Sequence, residues 1–140
     1  MFYIGIDVDG TIVEHEFPSL GAPVPGAIEW MKRFNELGAK LILHTMRSNM
    51  SSDKMYLADA VQYCVENEVE LFDANHNKTQ FSWTKSPKTY CHIYIDDAAY
   101  GCPLIYPEDG RRPYADWSII GPGVEQLILE KYNKKSTKKP

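Results

Sequence analysis

No apolar run in this 140-residue chain approaches the roughly 20 residues that a membrane-spanning helix needs. The amino terminus, MFYIGIDVDG, enters its first apolar stretch with no basic segment ahead of it. No secretory signal is therefore expected, and the expected location is cytoplasmic. Cysteine is scarce: Cys64, Cys91 and Cys102 are odd in number and form no C-x-x-C pair. That pattern fits a reducing compartment rather than a disulfide scaffold. With His44, His76 and His92 the cysteines also lack zinc-ligand spacing. Neither a G-x-x-x-x-G-K phosphate loop nor a G-x-S-x-G nucleophile elbow occurs. Internal repeats are absent. Basic residues are thin outside the end of the chain. Lys131, Lys134, Lys135, Lys138 and Lys139 fall in the last ten positions, so the body is more acidic than the overall charge of -4. An acidic body argues against a broad nucleic-acid interface, which needs a basic face. The expected organisation is one domain over residues 1–130 and a solvated Lys-rich tail over residues 131–140.

What the chain has in quantity is alternation of strand and helix patterns. Phe2, Tyr3, Ile4, Ile6 and Val8 read as a strand that stops at Gly10. Pro18, Gly21, Pro23, Pro25 and Gly26 break the next stretch into a loop or short flap over residues 14–24. Ile28, Met31, Phe34 and Leu37, with Trp30 beside them, give a helix over residues 25–37 capped at Gly38. Leu41, Ile42 and Leu43 form a buried strand ending at His44 and Thr45. A polar loop follows, and then a helix capped at Ser51 or Ser52 and running to about residue 67, with Leu57, Ala60, Val61, Cys64 and Val65 facing inward. Residues 69–74 and 90–97 read as two more strands, separated by a long polar loop that holds Trp83. Residues 102–107 suggest a fifth strand, residues 117–120 a further short one, and residues 124–132 a last helix. Alternating units of this kind predict an α/β fold: a three-layer α/β/α sandwich around a mostly parallel, Rossmann-like sheet. Ligands in such folds bind off the carboxyl ends of the strands. Asp7, Asp9, Thr45, Arg47, Asp73, Asp96 and Asp97 all fall at those ends.

Four carboxylates, Asp7, Asp9, Asp96 and Asp97, are expected to converge on one crevice. Like charges that close cannot all remain ionised without a cation. An oxygen-rich acidic site suits a hard divalent ion, Mg²⁺ above all, which keeps waters and bridges to phosphate. An EF-hand loop is a poor alternative, because it places glycine sixth whereas here glycine comes fourth, after a strand.

DVDGT after an apolar strand, Thr45 at the end of the second strand, a lysine ahead of IYIDD, and the IDD pair together resemble the haloacid dehalogenase superfamily of phosphohydrolases. The resemblance covers residues 1–97 and fills its four motif positions in order. It implies Asp7 as the nucleophile that forms an aspartyl-phosphate and Asp9 as the general acid and base. It implies Mg²⁺ on the carboxylates of Asp7 and Asp96 and on the backbone carbonyl of Asp9. Asp97 would bind the metal through water or orient a lysine. Thr45 would donate to the phosphoryl oxygens, and a lysine would offset phosphate charge. Lys88 is the preferred lysine, with Lys85 and Lys78 in the same loop as alternatives. Arg47 reads either as a phosphate or carboxylate clamp or as a surface charge. His15, Glu16, Asn75, His76 and Asn77 are candidate specificity residues or ordinary loop residues, while Trp30 and Trp83 read as packing.

Neither gap between the motifs has room for a cap domain, so the resemblance is to a minimal, capless member. The expected reaction is Mg²⁺-dependent hydrolysis of a phosphomonoester on a small metabolite such as a sugar phosphate. Two alternatives stand beside it: a phosphatase for nucleic-acid or protein phosphate, and a receiver-like phosphate-binding domain without turnover. An open site also allows a second copy of the chain to supply a lid.

Overall fold

The computed structural model describes the backbone of residues 1–137 and side chains as far as residue 131. In chain order the elements begin with β1 (Tyr3–Ile6), α1 (Ala27–Glu36) and β2 (Lys40–Leu43). A small hairpin of β3 (Asn49–Ser51) and β4 (Lys54–Met55) precedes α2 (Tyr56–Glu66) and β5 (Asp73–Ala74). After a single 3₁₀ turn at Gln80–Ser82 come β6 (Ile93–Ile95), β7 (Leu104–Ile105), β8 (Tyr114–Ala115) and α3 (Trp117–Thr137). The central sheet runs β5-β2-β1-β6, and all three pairings are parallel. The expected α/β class with a Rossmann-like parallel sheet is what the chain forms.

The layers on the two sides of the sheet are unequal. Ile4 and Ile6 of β1 and Leu41 and Leu43 of β2 share one buried cluster with residues of all three helices. The alternate residues, Tyr3 and Ile42, join Cys91 in a second cluster edged by Phe72, Tyr90 and Tyr94. This is the period-2 alternation of strand side chains, with both faces covered. Helices thus cover the first face, and aromatic side chains from the β5–β6 region cover the second.

Each helix shows what the sequence pattern caught and what it missed. On α1, Ala27, Met31 and Phe34 are buried, and Gly26 stands ahead of the helix at φ 83°, a left-handed conformation that favours glycine. The α2 start was expected at Ser51 or Ser52, but those residues belong to the β3–β4 hairpin and turn. The helix begins at Tyr56, and the cap comes from the hairpin: Asn49 Oδ1 accepts the Ala58 amide at 3.0 Å. Val65, expected inside, is exposed. The expected strand at residues 117–120 is instead the first turn of α3. Asp116 caps it, its Oδ1 accepting the Ser118 amide at 3.1 Å. Trp117, Ile120, Val124 and Ile128 are buried at a helical spacing that runs straight through Pro122. The expected fifth strand exists as β7, but it pairs antiparallel with β8 and not with the main sheet. Of the tail, the α3 backbone continues to Thr137, and residues 138–140 lie outside the described residues.

Trp117 ties α3 to the loop that follows β1. Its indole is fully buried near Phe34, and its Nε1 donates to the Thr11 carbonyl at 2.7 Å. Trp117→Phe leaves that carbonyl without its donor and is expected to cost about 1–3 kcal/mol. Trp117→Ala adds a cavity and is expected to cost about 3–5 kcal/mol. Urea unfolding of the three proteins checks both values.

Candidate active site

The chain moves from β1 outward to β2 and β5, then returns to place β6 on the other side of β1. Strand order therefore reverses between β1 and β6, and a crevice opens at their carboxyl ends. Asp7 follows β1 directly and its amide still pairs with the Ile95 carbonyl at 2.9 Å. Asp96 and Asp97 follow β6. Beyond Asp7 the backbone coils tightly: the amides of Thr11, Ile12 and Val13 all donate to the Val8 carbonyl. Gly10 sits inside that coil at φ +85°, and a Cβ there would lie 2.1 Å from His15 Nε2 and 2.2 Å from Asp97 Oδ2. Only glycine fits both the conformation and the space.

Carboxylate oxygens of Asp7, Asp96 and Asp97 lie within 4.8 Å of one another. Burial pushes the Asp7 carboxyl up to about 8, helped by a hydrogen bond with Asp97 and by the charges of Asp96 and Asp97. Three half-buried acids arranged this way fit a hard divalent cation, whose charge would offset both the burial and the repulsion that hold the Asp7 carboxyl up. Thr11 and His15 hold Asp97. The Thr11 hydroxyl accepts the Asp97 amide at 3.1 Å and lies 3.3 Å from Asp7 Oδ2. His15 Nε2, from the flap, is 2.8 Å from Asp97 Oδ2. Asp96 Oδ1 accepts the Ala98 amide at 2.9 Å.

Asp9 does not join the three. Its carboxylate turns to Arg47, which donates to it twice, from Nε and Nη2, each at 2.8 Å. Arg47 was expected either to clamp a substrate anion or to sit on the surface, and it does neither. It is 1% exposed, with Phe17 beneath its guanidinium. Its remaining donors reach the carbonyls of Pro18, Ser19 and Tyr56. The five N–H groups of the fork thus have five acceptors, and none is left for a phosphate. Arg47 fastens the flap and the start of α2 to the loop after β1.

A cavity of about 340 Å³ is lined by Asp7, His44, Thr45, Met46, Asn75, Pro87, Thr89 and Asp96. Thr45 Oγ1 accepts the Arg47 amide at 3.1 Å, which leaves the hydroxyl proton free to point at a ligand. Asn75, at φ 54°, is a brace: Oδ1 accepts the Thr45 amide and Nδ2 donates to the Arg47 carbonyl. Of the lysines, Lys78 donates to the Phe72 carbonyl on the second face. Lys88 lies over Tyr94 at 5.6 Å, between two cavity-lining neighbours, Pro87 and Thr89. Lys85 is exposed. Asn77 is fully buried and holds Thr79 and the Tyr90 carbonyl, so it is structural. His76 packs on Phe81, and Asp73 accepts the amides of Ala74 and Lys78 outside the cluster. Glu16 and Trp83 are exposed, and Trp30 packs near Phe34. Thr11 and His44 are contributors that strand-end reasoning passed over. Only the placement of Thr11 right after D-x-D-G signalled its role.

The chain is similar to a solved structure described as a conserved protein of Bacteroides thetaiotaomicron. Identity is 29% over 89% of this chain and 90% of that one, with a TM-score of 0.70. The two share the small Rossmann-like α/β fold. No protein-family model and no curated protein matches the chain. The arrangement of side chains therefore has to carry the functional reading.

Two outcomes follow from this geometry. The folded Asp7 carboxyl stays protonated where an unfolded one does not, so its contribution to stability is full below the ordinary carboxylate range and is lost as pH rises towards 8. With chelator present, the wild type is expected to lose on the order of 2 kcal/mol between about pH 5 and pH 8 relative to Asp7→Asn. Urea midpoints at the two pH values check this, and added Mg²⁺ is expected to restore the loss. Arg47→Ala leaves Asp9 and three carbonyls without their donor and is expected to destabilise by about 3–5 kcal/mol. Arg47→Lys is expected to recover only part, because lysine has no fork.

Proposed function

We propose that this protein is a Mg²⁺-dependent phosphomonoester hydrolase working through Asp7. The observation that carries the reading is the cavity where Asp7, Thr45 and Asp96 meet, with Asp7 crowded by Asp96 and Asp97. A carboxylate nucleophile, a hydroxyl donor and a three-acid cation cradle in one crevice are the parts that phosphoryl transfer needs. Their order along the chain matches the resemblance to the haloacid dehalogenase superfamily.

An Asp7 oxygen attacks phosphorus as the bond from phosphorus to the alcohol oxygen breaks. The resemblance gives Asp9 the delivery of a proton to the departing oxygen, for which Asp9, paired here with Arg47 through both oxygens, has to take up a proton before the cycle begins. Asp9 then takes a proton from a water whose oxygen attacks the aspartyl-phosphate, releasing inorganic phosphate and restoring Asp7. Arg47 holds Asp9 by one lone pair on each oxygen, which leaves other lone pairs for this traffic. Thr45 donates its hydroxyl proton to a phosphoryl oxygen, and Lys88 approaches from the rim. Asp7, Asp96 and Asp97 would hold a divalent cation, which would supply neutralisation of phosphate charge. The limited cavity and the acidic body favour a small metabolite over a nucleic-acid or protein phosphate.

A second reading, a phosphate-binding domain without turnover, draws on one observation: Asp9 is already occupied by Arg47. p-Nitrophenyl phosphate separates the two. Turnover is expected with Mg²⁺, abolished by chelator, and reduced at least about a thousandfold in Asp7→Asn. No turnover, or turnover undiminished in Asp7→Asn, overturns the hydrolase reading.

A further inference from the structure

His44 ends the β2 region one residue before Thr45. His44 lines the cavity with Asp7, Thr45 and Asp96, and its ring packs against Tyr94 at 5.1 Å. It is half-buried, and neither ring nitrogen has a hydrogen-bond partner among the described residues. Of the other polar side chains that line the cavity, Thr89 is buried and the rest already have tasks. Asp7 and Asp96 form the acidic cluster, Thr45 faces the phosphoryl position, and Asn75 is engaged at both ends of its amide. Histidine is out of pattern here as well, because Leu41, Ile42 and Leu43 before it are fully buried and apolar.

We propose that His44 is a specificity-determining residue that hydrogen-bonds a hydroxyl of the leaving group, so that the preferred substrate is the phosphate of a small polyhydroxylated alcohol. This rests on the hydrolase reading above. Three considerations select a hydroxyl. A neutral imidazole presents one donor and one acceptor, the same pair that an alcohol presents. The cavity lining includes no lysine or arginine to receive a second anionic group on the substrate. At about 340 Å³ the cavity lies at the small end of ligand pockets, which suits a short chain. Exposed Met46, which also lines the cavity, offers an apolar surface to the carbon backbone of such a chain.

The test compares erythritol 4-phosphate with n-butyl phosphate, a chain of equal length without hydroxyls, in the presence of Mg²⁺. The wild type is expected to favour the hydroxylated substrate in kcat/KM by tenfold or more. In His44→Ala that ratio is expected to fall about tenfold, chiefly through KM, as loss of one hydrogen bond implies. His44→Gln, which keeps a donor and an acceptor, is expected to recover part of the ratio, and it decides the matter if the alanine variant does not fold. The inference is overturned if the wild type shows no preference, or if both substrates decline equally in the folded variants, as a purely structural role would produce. Turnover of n-butyl phosphate by the wild type upholds the hydrolase reading independently of that result. Absence of turnover on every ester overturns the two together.

Discussion

Three carboxylates share one small volume at the carboxyl ends of β1 and β6, and their surroundings are built to tolerate that crowding. Asp7 responds by keeping a proton, Asp97 is held by Thr11 and His15, and Asp96 takes a backbone amide. The fourth acid, Asp9, is drawn off to Arg47. Gly10 exists because nothing larger fits between the backbone and the His15–Asp97 contact. Strong electrostatic demand at one point thus accounts for the polar residues and the glycine of the DVDGT segment, while Val8 packs into the core.

A hydrogen-bonded frame lies behind the crevice. The Val8 carbonyl gathers three amides, and the Thr11 carbonyl is claimed by the indole of a buried tryptophan on α3. Those contacts connect the coil after β1 to the helix that closes the core. The flap is held at two places, through His15 to Asp97 and through the carbonyls of Pro18 and Ser19 to Arg47. Such a frame holds the side chains of the crevice at the spacing that brings the three carboxylates together.

Legibility in the sequence followed the range of the interactions. The β1, β2 and β6 strands, the α1 helix and the convergence of Asp7, Asp96 and Asp97 could be read because apolar period and strand-end chemistry are local signals. Element starts failed where the cap was supplied from elsewhere, as Asn49 of the hairpin does for α2. The first turns of α3 failed because a G-P-G stretch masked a burial period that only the packed core enforces.

The chain by itself determined the class of fold, the order of the four main-sheet strands with α1 and α2 between them, and which acids stand at strand ends, since each depends on residues near one another in sequence. Tertiary structure decided what those acids do. Asp9 and Arg47 are 38 residues apart, and their pairing became visible only when β1 and β2 lay side by side. His44 looked like the end of a strand until the crevice opened in front of it. Partnership between distant polar groups is set by geometry that no local pattern encodes, and in this site it separates Asp9 from the acids that surround the candidate cation position.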